Sequence, residues 1–193
     1  DEFVLHSYEG CKKVDFAKIL QGFVQKQIPV VKVIVHIDRD QKIDTDREVL
    51  QLREDCKKRG LLFFMTKYQE IESYFCTPEH IHKIYSIGLD VAKVKYDQFV
   101  AELEYDTKQK LTNFILRERR ELSLNKNDQQ DIALINRTVN DWYERYKEEL
   151  TLGKELLGKI KKFAQAELKE DPNKILMISD ALISDEFKCL LVD

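Results

Sequence analysis

A chain of 193 residues, 43% hydrophobic and 35% charged, has room for one good core, or for one core with a helical appendage, and reads as a soluble globular protein. Six glycines and three prolines argue against disorder, and no apolar run is long enough to span a bilayer or act as a signal peptide. With a net charge of −3, nucleic acid cannot be held by overall charge, and any such binding needs a local basic patch.

The first third reads as alternating strands and helices. Phe3-Val4-Leu5 is a short apolar run that ends at the turn Glu9-Gly10. A helical pattern follows, with Val14, Ala17, Leu20 and Val24 on one face and Phe16, Ile19 and Phe23 beside it. Pro29 stops that helix. Val30 to Ile37 is a β-branched run broken only by Lys32 and His36, as expected of an inner strand covered on both faces in a parallel sheet. Its histidine is expected to be a satisfied core residue. Thr45 and Glu48 have capping-box spacing, Val49, Leu52 and Cys56 share a helix face, and Gly60 supplies the stop. Leu61 to Met65 is the third strand. Short connections make the three strands parallel neighbours.

From Pro78 the chain turns helical. Ile81, Ile84, Val91 and Val94 suit short helices, and Phe99 to about Glu121 suits a long charged one. Ser123 to Asp128 reads as a polar linker, with Asn127 and Gln130 as a further cap. Ile132, Ile135, Val139, Trp142, Tyr143 and Tyr146 mark one more helix, and Leu156, Leu157, Ile160, Phe163 and Leu168 another. Pro172 to Val192 fits two short helices or a helix and a strand. The resulting division is an α/β core with an acidic cleft over residues 1–78 and a mainly helical part over 79–193 that completes or decorates it.

The acids then fall into a pattern. Glu9 follows the first strand, Asp38 and Asp40 end the second, and Glu70 and Glu72 follow the third. In a parallel sheet these loops open at one carboxyl edge, where ligands of open α/β folds bind. Carboxylates gathered there repel one another unless a hard cation neutralises them, and oxygen donors suit Mg²⁺ or Mn²⁺. The aromatic residues Trp142, Tyr143 and Tyr146 are read as core. The cations Arg117, Arg119 and Arg120 with Lys159, Lys161 and Lys162 form either a phosphate-binding patch or a solvated helix face. His80 and His82, two apart on a helix, point different ways and do not share a metal. Cys11, Cys56, Cys76 and Cys189 form no C-x-x-C pair, which points to reduced thiols in a cytoplasmic protein. The chain opens Asp1-Glu2-Phe3 without methionine, as expected of a piece cut from something larger.

The same residues resemble a known family. Tyr8-Glu9-Gly10, followed by the strand ending His36-Ile37-Asp38-Arg39-Asp40, resembles the Toprim pattern of a glutamate in a strand–helix turn and then D-x-D. Met65 to Phe75 resembles the third-strand signature of Toprim domains in the overcoming-lysogenisation-defect group and related ATPase-associated nucleases, with Ser73 where asparagine is commoner. This resemblance covers residues 1 to about 78. It implies a Toprim-like parallel-sheet core and metal-dependent cleavage of DNA or RNA, in antiphage defence beside an ABC-type ATPase domain or subunit, with no membrane and room for a homo-oligomer. The chain has no Walker motif, so that ATPase sits on another segment or subunit.

By the resemblance, Glu9 acts as general acid/base or metal ligand and Asp38 and Asp40 hold a first cation. Asp15 and Glu72 are candidates for a second, Asp15 lying six residues after Glu9, further than is usual. A late lysine neutralises transition-state charge; Lys154 after Gly153 matches best, Lys159 after Gly158 second. Two other readings stand beside it: a non-catalytic module that binds a partner ATPase or nucleic acid, and a nucleotidyl- or phosphoryl-transfer enzyme using the same cleft.

Overall fold

Where the apolar pattern is strongest, the chain forms its elements close to the expected places. The computed structural model describes residues 14–44, 46–121, 132–182 and 187. The expected first strand, Glu9, Thr45, the polar linker and its cap, Cys11, Cys189 and most of the tail lie outside the described residues. Among the described residues the chain is a mixed α/β protein, mostly helical, with one two-stranded parallel sheet. Among the described residues no helix is long and apolar enough to cross a membrane. Two compact units emerge. The first takes in the described residues up to Ile37, Lys42–Thr66 and Phe187; the second takes in Asp38–Gln41 and those from Lys67 onward to residue 182.

The first unit contains α1 (Val14–Gln25), β1 (Ile34–Ile37), α2 (Arg47–Lys58) and β2 (Leu62–Met65). The strands run parallel, with Ile34 opposite Leu62 and Ile37 opposite Met65. Val14, Ala17, Val35, Ile37, Leu52, Cys56 and Leu61 form the core. Helix α2 ends as its glycine predicts. Gly60 takes φ +68°, its N–H bonds Lys57 O at 3.1 Å, and Leu61 N–H bonds Cys56 O at 3.0 Å, the paired bonds of a Schellman stop. Helix α1 is fastened to that stop, because Gln21 Nε2 donates to Gly60 O at 2.9 Å.

Several expectations are corrected here. The strand is confined to Ile34–Ile37, and Val30 is 86% exposed. Within β1, Val35 and Ile37 are buried while His36 is exposed and stacks on Phe64, so the strand is covered on one face and its histidine is no core residue. The N-cap of α2 is Asp46, whose carboxylate accepts from Ile43 N–H at 2.7 Å and makes no capping bond to the helix. On α1, the inward stripe is Val14, Ala17 and Gln21, while Phe16, Ile19 and Phe23 are exposed.

The second unit begins with Asp38–Gln41 and a 3-10 turn, Ile71–Cys76. It continues with α3 (Pro78–Tyr85), α4 (Leu89–Glu102), α5 (Glu104–Glu121), α6 (Ile132–Leu150) and α7 (Gly153–Phe163). A π-turn, Ala164–Leu168, and two 3-10 turns, Pro172–Leu176 and Asp180–Leu182, close it. The expected passage from α/β core to helical part after residue 78 thus falls inside this unit, where Ile71–Cys76 packs on α3 and α7. Cys76, Tyr96, Phe99, Leu156, Ile160 and Phe163 anchor one core cluster; Leu111, Phe114, Ile135, Val139 and Leu150 anchor another, between α5 and α6. Tyr143 is buried, and Trp142 and Tyr146 pack against that second cluster, as core residues do. Helix α4 turns inward Ala92, Tyr96, Phe99 and Val100 and leaves Val91 and Val94 exposed.

His80 and His82 serve separate partners. The His80 ring is fully buried: Nε2 donates to Ile175 O at 2.8 Å, and Nδ1 accepts the Ser179 hydroxyl at 2.8 Å, roles fixed because a carbonyl only accepts. His82 Nδ1 meets Ile87 O instead. Burial lowers the pKa of His80, with the Ile175 hydrogen bond partly opposing. The fold therefore prefers the neutral ring. That stabilisation is complete above the unfolded value of about 6.5 and is lost as pH falls through the lower folded value. Urea midpoints are expected to drop below about pH 6.5 in the native chain and to fall less steeply in His80→Gln. Parallel slopes would exclude His80 as the source.

Candidate functional site

Two loops follow the parallel strands in the chain, and both belong to the second unit. Asp38–Gln41 comes directly after β1, and the segment from Lys67 to Cys76 follows β2. Asp38 is half-buried, Arg39 buried and Asp40 exposed. Asp40 takes φ +52°, a left-handed conformation that aspartate tolerates better than most residues, and its N–H bonds Gln69 O at 2.8 Å. That bond fixes one acidic loop to the other.

The other loop holds the start of α7. A helix N-terminus presents backbone N–H groups without intrahelical acceptors, and Leu152, the N-cap residue, makes no side-chain capping bond. Distant residues supply the acceptors: Gly153 N–H donates to Gln69 Oε1 and Lys154 N–H to Glu70 Oε2, each at 3.1 Å. The Lys154 ammonium returns to the same carboxylate, Nζ donating to Glu70 Oε1 at 3.2 Å, and stands 3.9 Å from Glu72 Oε1. The hydrogen bond to Glu70 chiefly, then the charges of Glu70 and Glu72 and, less strongly, Asp38, raise the pKa of Lys154. Such close packing of loop on helix requires glycine at 153. A Cβ there would stand 2.3 Å from Ser73 Oγ and 3.2 Å from Ser73 N.

Polar groups in this segment are also buried without partners. Both ends of the Gln41 carboxamide and the Ser73 hydroxyl make no hydrogen bond, although both residues are only 5% exposed. Buried polar atoms in native proteins are nearly always paired, so these mark a place where the fold has not optimised its own stability.

The structure thus brings Asp38, Asp40, Glu70, Glu72 and Lys154 into one unit, with Lys154 paired to acids 84 positions earlier in the chain. Asp15 is placed in the first unit, where Arg59 grips it through Nε at 2.9 Å and Nη2 at 2.8 Å. Glu9 lies outside the described residues. Lys159, the second-ranked lysine, is paired with Glu102 at 2.7 Å. The basic residues are partly engaged as well: Lys161 donates to Asn173 Oδ1, and Arg117 lies over the Phe114 ring.

Gln69 was missed by sequence reasoning, since a single carboxamide acceptor has no spacing signature. Glycine directly before the lysine was the available signal for a close approach. Cys56 and Cys76 are buried thiols, and burial pushes the Cys56 pKa up to about 11, so neither serves as a nucleophile.

An all-carboxylate donor set suits a hard cation, and an ammonium already stands against two of its members as a cation would. Among the described residues no group of three or more His, Cys, Asp or Glu side chains stands ready to hold a metal ion. Compared with known proteins, the chain matches no family model, no curated protein and no solved structure at a significant level.

Proposed function

We propose that this chain is a Toprim-like, divalent-metal-dependent nuclease that hydrolyses phosphodiester bonds of DNA or RNA. It would act as the effector of an antiphage system, with an ABC-type ATPase on another segment or subunit. The observation that carries this reading is the meeting of two acidic loops with Lys154 in one unit. Mg²⁺ or Mn²⁺, when bound, supplies an activated water and neutralises the leaving oxygen.

The chain's own residues divide the remaining work. Asp38 and Asp40, two apart on a loop pinned by Gln69, would hold the cation together with Glu9, which would also serve as general acid or base. Glu72, less tightly engaged than Glu70, is the better candidate for a second cation; Asp15 is already committed to Arg59. Lys154 lends positive charge to the phosphate as charge builds in the transition state. Glu70 and Gln69 hold the start of α7, and so the lysine, in place.

Incubation with single- and double-stranded DNA and RNA is expected to give cleavage with Mn²⁺ and none with a chelator. The second reading, a non-catalytic module, is favoured by the charge balance already present between Lys154 and Glu70. It predicts no cleavage of any substrate and no Mn²⁺ binding.

A further inference from the structure

We propose that α1 is a homodimer interface, two copies of the chain packing their α1 helices antiparallel about a two-fold axis. The inward side of α1 is Val14, Ala17 and Gln21. On the opposite side Ile19 is 70% exposed, Phe23 66% and Phe16 43%. With Lys26, also exposed, these residues follow one another at steps of three, four and three, the spacing of a seam between two helices. Single exposed apolar residues need no explanation. These three together expose on the order of 400 Å², a patch of the size that often serves association.

The charges at the two ends of the seam select a second copy as the occupant. Asp15 lies in the first turn and Lys26 directly after the last, about 16 Å away along the axis. Laid parallel, two copies would set like charge against like. Laid antiparallel, each Lys26 meets the partner's Asp15 and the partner's Phe16, an ion pair with a cation over a ring. In the same arrangement each Ile19 packs on the partner's Phe23, as a two-fold axis requires. Arg59 binds Asp15 within the chain at 2.8 Å, yet the aspartate side chain is 83% exposed and its carboxylate accepts from more than one cation.

Gly22 stands beside this seam. Among the described residues nothing lies within 4 Å of the position its Cβ would take, so local packing gives no reason for glycine in mid-helix, where it costs stability relative to alanine. A missing side chain there lets a second helix come close. A stable dimer buries about 800 Å² per partner, so the apolar seam with its charged flanks makes a weak, reversible one.

The test is sedimentation equilibrium of the full chain over a concentration series, with the urea midpoint of each variant measured alongside. The native chain is expected to dimerise in the micromolar range. Phe23→Asp is expected to abolish the dimer over that range and to leave the midpoint unchanged, since the ring is exposed. Lys26→Glu and Asp15→Lys, each alone, are expected to weaken it about tenfold, because two exposed charge pairs are inverted and each is worth up to about fivefold. Mixed in equal amounts, the two variants are expected to regain native affinity, because the antiparallel pair then matches every new charge with its opposite. A dimer indifferent to Phe23→Asp, or a mixture no tighter than its parts, overturns the proposal. So does a native chain that stays monomeric throughout; a midpoint lowered by Phe23→Asp in that case would place the chain's own residues over the seam.

Discussion

Replacing Asp38 and Asp40 together by asparagine is expected to lower Mn²⁺-dependent cleavage on the order of 10³-fold, because metal-ion stabilisation is worth several kcal/mol and each 1.36 kcal/mol is a factor of ten. Asparagine is the right probe at both positions. It keeps the side-chain shape and removes the charge that a hard cation needs. At residue 40 the backbone sits at φ +52°, where asparagine is tolerated and alanine would add strain. The Asp40 N–H bond to Gln69 O is a main-chain bond and survives the change. Thermal unfolding should therefore stay close to that of the native chain while activity falls. Cleavage within about tenfold of native would remove these acids from the chemistry.

Gly153→Val is expected to destabilise the chain by about 2–3 kcal/mol, through overpacking at a buried contact. The added carbons meet Ser73 Oγ, Ser73 N and Glu70 Oε2, all within 3.3 Å of where Cβ would stand. The Ser73 hydroxyl can rotate away. Its backbone cannot, being held by the 3.1 Å bond from Ser73 N–H to Glu70 O. The clash also pushes α7 from the acceptors that place Lys154, so activity should fall with stability. Gly158 supplies the control on the same helix. Nothing lies within 4 Å of its Cβ position, and Gly158→Ala should stabilise by about 0.5–1 kcal/mol through helix propensity. Urea midpoints of the two variants should move in opposite directions. A neutral Gly153→Val would mean that the loop and α7 are not closely packed.

Features set by local rules were legible in the sequence. Helix α2 shows its buried face in Val49, Leu52 and Cys56 at helical spacing, and its end in Gly60, because only glycine enters the left-handed region freely. The pairing of the β-branched run with Leu62–Met65 followed from their common apolar character and a single helix between them. What failed was the question of which faces are covered. His36 looked buried within its run, yet exposure depends on what lies across the face, and periodicity carries no record of that.

For the site, the carboxylates were legible as residues at strand ends, and Lys154 was singled out only through family resemblance. Its pairing with Glu70 spans 84 positions, a separation no local pattern encodes. The clamp formed by Gln69 was invisible for the same reason: its carbonyl holds Asp40 and its side chain holds Gly153, two partners far apart in the chain.

The proposed nuclease would hold its divalent cation on Asp38 and Asp40 with Glu9. Crystals soaked in Mn²⁺ test it through the anomalous difference map. A peak about 2.1 Å from carboxylate oxygens of Asp38 and Glu9 is the predicted result, a distance usual for small hard cations. Full occupancy elsewhere on the chain, with no peak beside Asp38, would contradict it.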